Sequence, residues 1–372
     1  MIIELHMLKN FPPTNLNRDE SGSPKTCFFG GYQRARISSQ SLKRSWRMSP
    51  LLGNIPGQIS VRTRKLPDLI MDELKRREVL QEYIDIAVRK VTGIGNKEGK
   101  ENAKAARTEQ VISYSPADIQ ALADIIVQSI EDAGTVKAFD KLGVKEWRKK
   151  IDNAYMRPIT LDIALFGRMV TDESFANVEA AMQVAHAISI HKVNMESDFF
   201  TAVDDLVDMA RDDVGSGMMG DIDFNSSCYY IYASLDLDQL RENLQFSPEA
   251  SLIIPEVVPM LLETIAYTNP SGKQNSFAGH ILPSTVYVEV KSKPVPVSLA
   301  NAFSLPVQAR GGEDFQIAGA RALAAEIDSI VQSYGLPAEK RLWFSRVGEE
   351  APQSAQKVAS FVELLKELEG LL

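Results

Sequence analysis

The segments of this chain that read as strands lie far apart, and that spacing limits the possible folds more than any other feature. Met1–Leu8 alternates as a strand, 159–166 reads as a buried strand, Cys228–Leu235 alternates again, and Thr285–Lys291 is the fourth. A helix at about 39–48 separates the first two; Ser38 suits its N-cap and Ser49-Pro50 stops it. A helix at about 249–267 separates the last two. The order β-α-β-β-α-β is that of a ferredoxin-like or RRM-type sheet. Two long insertions interrupt it. The first, about 51–156, is mostly helical, with helices expected over 68–91, 116–132 and, more basic, 144–152. The second, about 168–226, shows helical periodicity over Phe175–Ile190 and a Gly-Met-rich tip at 215–220. Pro12, Pro13, Gly22, Pro24, Gly30 and Gly31 mark an irregular stretch after the first strand. Further helices are expected at about 236–244, 314–334 and 353–370. The fold class is therefore α+β: one sheet-based core carrying large insertions, as suits 372 residues.

Composition excludes several alternatives. Hydrophobic residues make up 44% and charged residues 24%, a globular balance. No apolar run approaches the roughly 18 residues of a membrane helix. The opening MIIELHMLKN carries Glu4 and His6 inside its apolar stretch and reads as a strand, not a signal peptide. Cys27 and Cys228 are far apart, which argues against a disulfide framework or a cysteine zinc site; the expected compartment is the cytoplasm. The formal net charge is −8, but it is segregated. Lys25, Arg34, Arg36, Lys43, Arg44 and Arg47 occupy 25–47 with no acidic residue among them, whereas 196–213 holds seven acidic residues and only Arg211 as a base.

The stretch Gly30–Arg47 carries most of the chemistry. A glycine turn lets a polymer backbone approach closely, and the helix behind it offers free amides at its N-terminus. Ser38, Ser39, Gln40 and Ser41 add neutral donors. Gln40, Lys43 and Arg47 share one helix face, while Leu42 and Trp46 form the apolar one. This suits a groove for an extended, repeatedly charged ligand; a solvated basic face has the same composition. Lys137, Lys141 and Lys145, with Arg148, Lys149 and Lys150, form a second basic cluster, interrupted by Gly143. Contact with duplex DNA and a plain solvated surface both remain open there.

Six motifs in order resemble one known family. They are N-L-N-R-D (15–19), F-G-G-x-x-R-x-R-I-S-S-Q-S-L-K-R (29–44), D-I-A-L-x-G-R-M (162–169), A-H-A-I (185–188) with His191 and Val193, F-T-A-V-D-D-L (200–206) and N-A-F (301–303). The chain resembles the CasC family, the backbone subunit of type I-E CRISPR Cascade; beyond about 310 the likeness is loose. The resemblance implies an RRM-like palm with a helical fingers insertion and a protruding thumb. Its parts would be palm 1–50, fingers 51–156, palm 157–167, thumb 168–226, and palm with C-terminal helices 227–372. It also implies a protein that catalyses nothing and holds no cofactor or metal. Its partners would be CRISPR RNA, target DNA, further copies of itself in a head-to-tail filament and other Cascade subunits, away from any membrane. Carried over by motif, Arg18, Lys25, Ser38, Gln40, Lys43 and Arg47 would contact the RNA backbone, and Met169 would press on bases. Phe199, Phe200 and Thr201 would form the thumb's wedge; Phe199 stands where the family carries Trp, which narrows it. Asp204, Asp205 and Asp208 would face the basic palm of the next copy, or water.

Enzyme signatures are weak. His186 and His191 are five apart, not the four of a helical metal pair, and His186 reads as a structural histidine on an apolar helix. Gly93 and Gly99-Lys100 miss phosphate-loop spacing by one residue, with Glu101 where a hydroxyl belongs. Two other readings stay open: an RRM-fold CRISPR RNA-processing endoribonuclease using His186 or His191 as base, and a self-associating protein without nucleic acid.

Overall fold

The structure is a computed structural model describing residues 1–53, 59–95, 101, 106–147, 157–170, 175–202, 218–245, 250–309, 311–348 and 350–369. Its strands are β1 (Ile2–Thr14), β2 (Thr26–Phe29), β3 (Tyr32–Ile37), β4 (Val61–Thr63), β5 (Ile112–Tyr114), β6 (Met182–Val184), β7 (Ala187–Ser189), β8 (Glu196–Ala202), β9 (Met218–Asp236), β10 (Thr285–Lys291), β11 (Lys340–Ser345) and β12 (Gln356–Lys357). The first seven helices are α1 (Ser39–Arg47), α2 (Pro50–Gly53), α3 (Leu66–Arg76), α4 (Gln81–Val91), α5 (Pro116–Ala133), α6 (Val136–Lys141) and α7 (Leu161–Phe166). The rest are α8 (Leu237–Leu244), α9 (Ala250–Tyr267), α10 (Gln274–Phe277), α11 (Phe315–Tyr334) and α12 (Phe361–Glu369). Among the described residues no helix is long and apolar enough to cross a membrane.

The chain divides into two compact units, neither continuous in sequence. The first comprises Met1–Leu52, Val184–Ser234 and Glu256–Leu372. It is built on a mixed sheet with the order β12-β11-β10-β1-β9-β7-β3-β2, with β8 attached to β9. β1 pairs antiparallel with β10, from Ile2 opposite Lys291 to Leu8 opposite Thr285. β7 is antiparallel to β9 and to β3, while β11 and β12 run parallel. From Ile2 to Lys9 every residue is buried, so this strand is covered on both faces.

That double cover forces its polar residues to find partners inside. Glu4 accepts from Tyr232 Oη and the Val297 amide, each at 2.6 Å, and pairs with Lys291. Lys291 also reaches Glu289 at 3.4 Å, which in turn holds Arg341 at 2.9 Å. Tyr230 Oη accepts from the Leu299 amide and shares a hydrogen bond with His6 Nδ1 at 2.8 Å. Burial first, then the charge of Lys291, lowers the His6 pKa to about 3. Lys9 Nζ donates to the carbonyls of Ile265 and Thr268 and to Asn269, at the C-terminus of α9.

The second unit comprises Gly53–Gln183 and Leu235–Pro255. Its core joins Ile70 and Leu74 of α3, Ala87 and Val91 of α4, and Leu122 and Ile126 of α5 with Phe139 and Trp147. Ser115 and Asp118 form a reciprocal capping box at the start of α5, and Gly134 ends it in the left-handed region.

Several expectations need correction. Residues 161–166 form helix α7, not the strand expected over 159–166. Thr160 sits in an extended conformation as its N-cap and Gly167 closes it. The run Leu161–Leu165 is buried all round, Asp162 included because Ser60 and Thr160 donate to its carboxylate, a pattern that helix and strand share over so short a length. The helical periodicity over 175–190 belongs instead to the strands β6 and β7. The stretch after Leu8 continues β1 to Thr14 and then forms the β2–β3 hairpin. Residues 68–91 are two helices, separated near Glu78 with its φ of 57°. Near the C-terminus β12 replaces the start of the helix expected at 353–370, which is confined to α12, and β11 is a strand that the sequence reading did not place. In the 144–152 segment only 144–147 are described, as a helical turn. Helices expected at 116–132, 236–244, 249–267 and 314–334 stand within a residue or two of α5, α8, α9 and α11.

Candidate nucleic-acid interface

The basic segment folds around a two-glycine turn. Gly30 and Gly31, with φ of 60° and 83°, join β2 to β3, and Phe29 lies opposite Tyr32. A Cβ on Gly30 would stand 1.6 Å from the Ser304 carbonyl oxygen, so glycine is required there. Arg34 is buried; it donates to the carbonyls of Ser189, Phe303 and Ser304 at 2.9, 2.8 and 3.1 Å, and lies over the Phe29 ring. This cation fixes the hairpin and is spent on the fold.

Ser38 is the N-cap of α1. Its hydroxyl accepts from the Ser41 amide at 3.3 Å, and its own amide donates to Asn17 at 2.9 Å. The residue expected as an RNA donor is thus engaged in capping the helix, and only 7% of it is exposed. Leu42 and Trp46 are buried, as the apolar face requires. Gln40 is exposed, and Lys43 and Arg47 are half-buried on the same face. Burial lowers the Lys43 ammonium below its ordinary value. Arg18 and Arg44, with Ser41 and Ser45, line a cleft of about 590 Å³ that Asp19 and Glu20 also border. Asn15 ties that loop to the Asp223 carbonyl on β9 at 2.8 Å, and Ser23 donates to the Asp223 carboxylate at 2.6 Å. The loop bearing Arg18 is therefore fastened to the base of the β8–β9 hairpin.

Lys25, half-buried, precedes β2. Beside it the structure places two residues that are not among the RNA contacts expected from the sequence. Arg36 donates through Nη1 to His186 Nδ1 at 3.2 Å, and the Ser39 amide at the start of α1 points at the same nitrogen from 3.4 Å. His186 is exposed, not a structural histidine on an apolar helix. Desolvation, Arg36 and Lys25 all lower its pKa. Alternation across 186–189, with Ala187 and Ser189 buried and His186 out, is the signal that could have found it. His191 is different: its Nε2 accepts from the Cys228 amide, its Nδ1 donates to the Lys192 carbonyl, and its ring stacks on Phe315 at 4.5 Å.

The hairpin β8–β9 extends from the central strand. Phe199 faces Asp221, Phe200 faces Gly220 and Thr201 faces Met219. Because side chains alternate, Phe199, Thr201 and Met219 share one face and Phe200 occupies the other. A Cβ on Gly220 would meet the Phe200 ring at 2.9 Å, so that ring lies against the glycine. Phe199 and Met219 are 61% and 65% exposed. Asp204, Asp205 and Asp208, and the 215–217 part of the expected tip, lie outside the described residues.

In the second unit Arg168 is buried and pairs with Asp118 at 2.6 Å, while the next residue, Met169, is 79% exposed. Gly167, with φ of 80°, makes that turn. Lys137, Lys141 and Lys145 are all exposed; α6 ends at Lys141, so the third lysine belongs to a separate turn. Arg148, Lys149 and Lys150 lie outside the described residues. Among the described residues no group of three or more His, Cys, Asp or Glu is placed to hold a metal.

The first unit thus presents cations and amides suited to a phosphate chain, and a separate hairpin with an exposed aromatic–methionine face suited to stacking. The family model of CT1975-like proteins matches residues 3–369. A solved chain described as a CRISPR RNA-guided surveillance complex, pre-nicking, is 28% identical, with full coverage of both chains and a TM-score of 0.83. A second, described as a CRISPR RNA-guided surveillance complex, shares 22% identity over 100% of this chain and 99% of that one, with a TM-score of 0.62, a likeness of fold. No curated protein matches the sequence.

Proposed function

The chain belongs to the CT1975-like protein family, and from that membership we propose that it is a non-catalytic, CRISPR RNA-binding backbone subunit of a Cascade surveillance complex. The observation that carries the reading is the end-to-end likeness, at 28% identity, to a chain of an RNA-guided surveillance complex. The strand order β10-β1-β9-β7, with α1 between β1 and β7 and α9 between β9 and β10, supports a ferredoxin-like palm. In this reading β7 takes the place expected for 159–166. The palm holds phosphates through Lys25, Gln40, Lys43, Arg47 and Arg18 without reading bases, as a carrier of any guide sequence must. The β8–β9 hairpin is the thumb, and its Phe199 face displaces a base at intervals. Such unstacking costs a few kcal/mol and is offset by stacking of about 1–3 kcal/mol per base. Copies associate head to tail in the cytoplasm with other Cascade subunits. Lys137, Lys141 and Lys145 touch target DNA. The type I-E assignment rests on the motifs of 15–44 and 200–206.

The test is co-expression with neighbouring genes, purification, the ratio of absorbance at 260 and 280 nm, and a denaturing gel of any nucleic acid. Discrete RNA of guide length in a large complex is the expected result. Protein free of nucleic acid, alone and co-expressed, would overturn the reading.

A further inference from the structure

Arg36, His186 and Lys25 bring three basic side chains to one place, and Ser39 adds a backbone amide. Like charges so placed repel unless an anion joins them. The geometry is more specific than a basic patch. Arginine has only donors, and so does an amide nitrogen, yet both point at His186 Nδ1, at 3.2 and 3.4 Å. The ring must therefore be neutral and carry its proton on Nε2, with its Nδ1 lone pair filling the point where two donors converge. An imidazole is a weak occupant for such a point; a phosphate oxygen, negative and with several lone pairs, is a strong one. Arg36 is steadied from behind, because its Nε donates to the Thr26 carbonyl at 3.3 Å, so the guanidinium is aimed before any ligand arrives. His186 is exposed, and a ring there can turn aside without disturbing the core.

We propose that His186 is the placeholder in a phosphodiester seat: an RNA phosphate oxygen displaces its Nδ1 from Arg36 and the Ser39 amide, with Lys25 completing the seat. The assignment rests on the RNA-binding reading above and adds residues to it. Once displaced, the ring takes a proton from solvent at Nδ1 and donates it in a hydrogen bond to the same phosphate. The groups facing His186 are Arg36 on β3, Lys25 ahead of β2 and Ser39 at the head of α1. Arg36 and Lys25 oppose protonation of the free ring; an added phosphate reverses that balance. Binding at this seat is therefore coupled to uptake of one proton.

Two measurements test it. The His186 ring is followed by NMR in the intact protein, assigned with His186→Gln, with and without a mixed-sequence single-stranded RNA oligonucleotide. Affinity for the same oligonucleotide is measured between about pH 8 and about pH 5 for the wild type and for H186Q. The ring pKa is expected to rise on adding RNA. Wild-type affinity should then increase on acidification by about tenfold for each unit of that rise, while H186Q shows a flatter profile. RNA that binds firmly without moving the ring pKa, with parallel pH profiles for the two proteins, would overturn the seat and leave the RNA reading intact. No RNA binding at any pH would overturn the RNA reading, and the seat with it.

Discussion

His6 shows how one residue can carry both packing and a pH limit. It sits on β1 with no exposed surface, shares a hydrogen bond with Tyr230 and has a folded pKa of about 3. An unfolded histidine titrates near 6.5, so between those values the unfolded chain binds a proton that the folded chain refuses. Stability from this residue is therefore complete above about pH 6.5 and is lost as the pH falls toward 3. The slope reaches about 1.4 kcal/mol per pH unit. Urea unfolding at several pH values should show this fall for the wild type and a flatter curve for His6→Gln, which can still hydrogen-bond to Tyr230; parallel curves would show that other groups set the acid limit. The same scale explains what the sequence shows and hides. Leu42 and Trp46 are legible because period and polarity agree. Arg34 and Arg36 are chemically identical and two residues apart, yet Arg34 is consumed by three carbonyls from distant segments while Arg36 remains at the surface. No local pattern encodes that difference.

At the level of elements, the hairpin β8–β9 divides a motif that reads as one block. In sequence Phe199, Phe200 and Thr201 form a continuous wedge, but the register with β9 places Phe200 over Gly220 and leaves Phe199 beside Met219 on the opposite face. If the hairpin displaces bases, Phe199 and Phe200 cannot contribute equally. Phe199→Ala should blur the regular pattern of chemically reactive bases along bound RNA more than Phe200→Ala does. A larger effect from Phe200 would place the wedge on the glycine face, and equal effects would show that no single face acts as the wedge. The misreading of α7 has a similar origin. Leu161–Leu165 is buried on every side, its one charged residue Asp162 included, so no exposed polar face sets a period and length alone cannot separate helix from strand. Where the polar face is intact, as in α5, α8 and α11, the sequence places the helix within a residue or two.

For the whole molecule, the net charge of −8 and the basic face around α1 pull in opposite directions. Binding to RNA must depend on a few local cations working against an acidic remainder, which makes it sensitive to salt. The double variant Lys43→Ala with Arg47→Ala should weaken binding evenly across RNA sequences. Its log–log salt slope should fall by about 0.7 for each phosphate left without its cation. A weakening that varied with RNA sequence would mean that these residues read bases. The division into two discontinuous units also bears on synthesis. Ile2 waits for Lys291, because β1 bonds to β10 from Ile2 to Leu8 and to β9 on its other side. On a ribosome adding roughly 5–20 residues per second, the first strand spends on the order of tens of seconds without those partners. The helices of 66–147 emerge meanwhile and can begin packing. The nascent chain thus exposes longest a strand that the finished fold buries on both faces, and a cell making this protein has reason to keep a chaperone close to the exit tunnel.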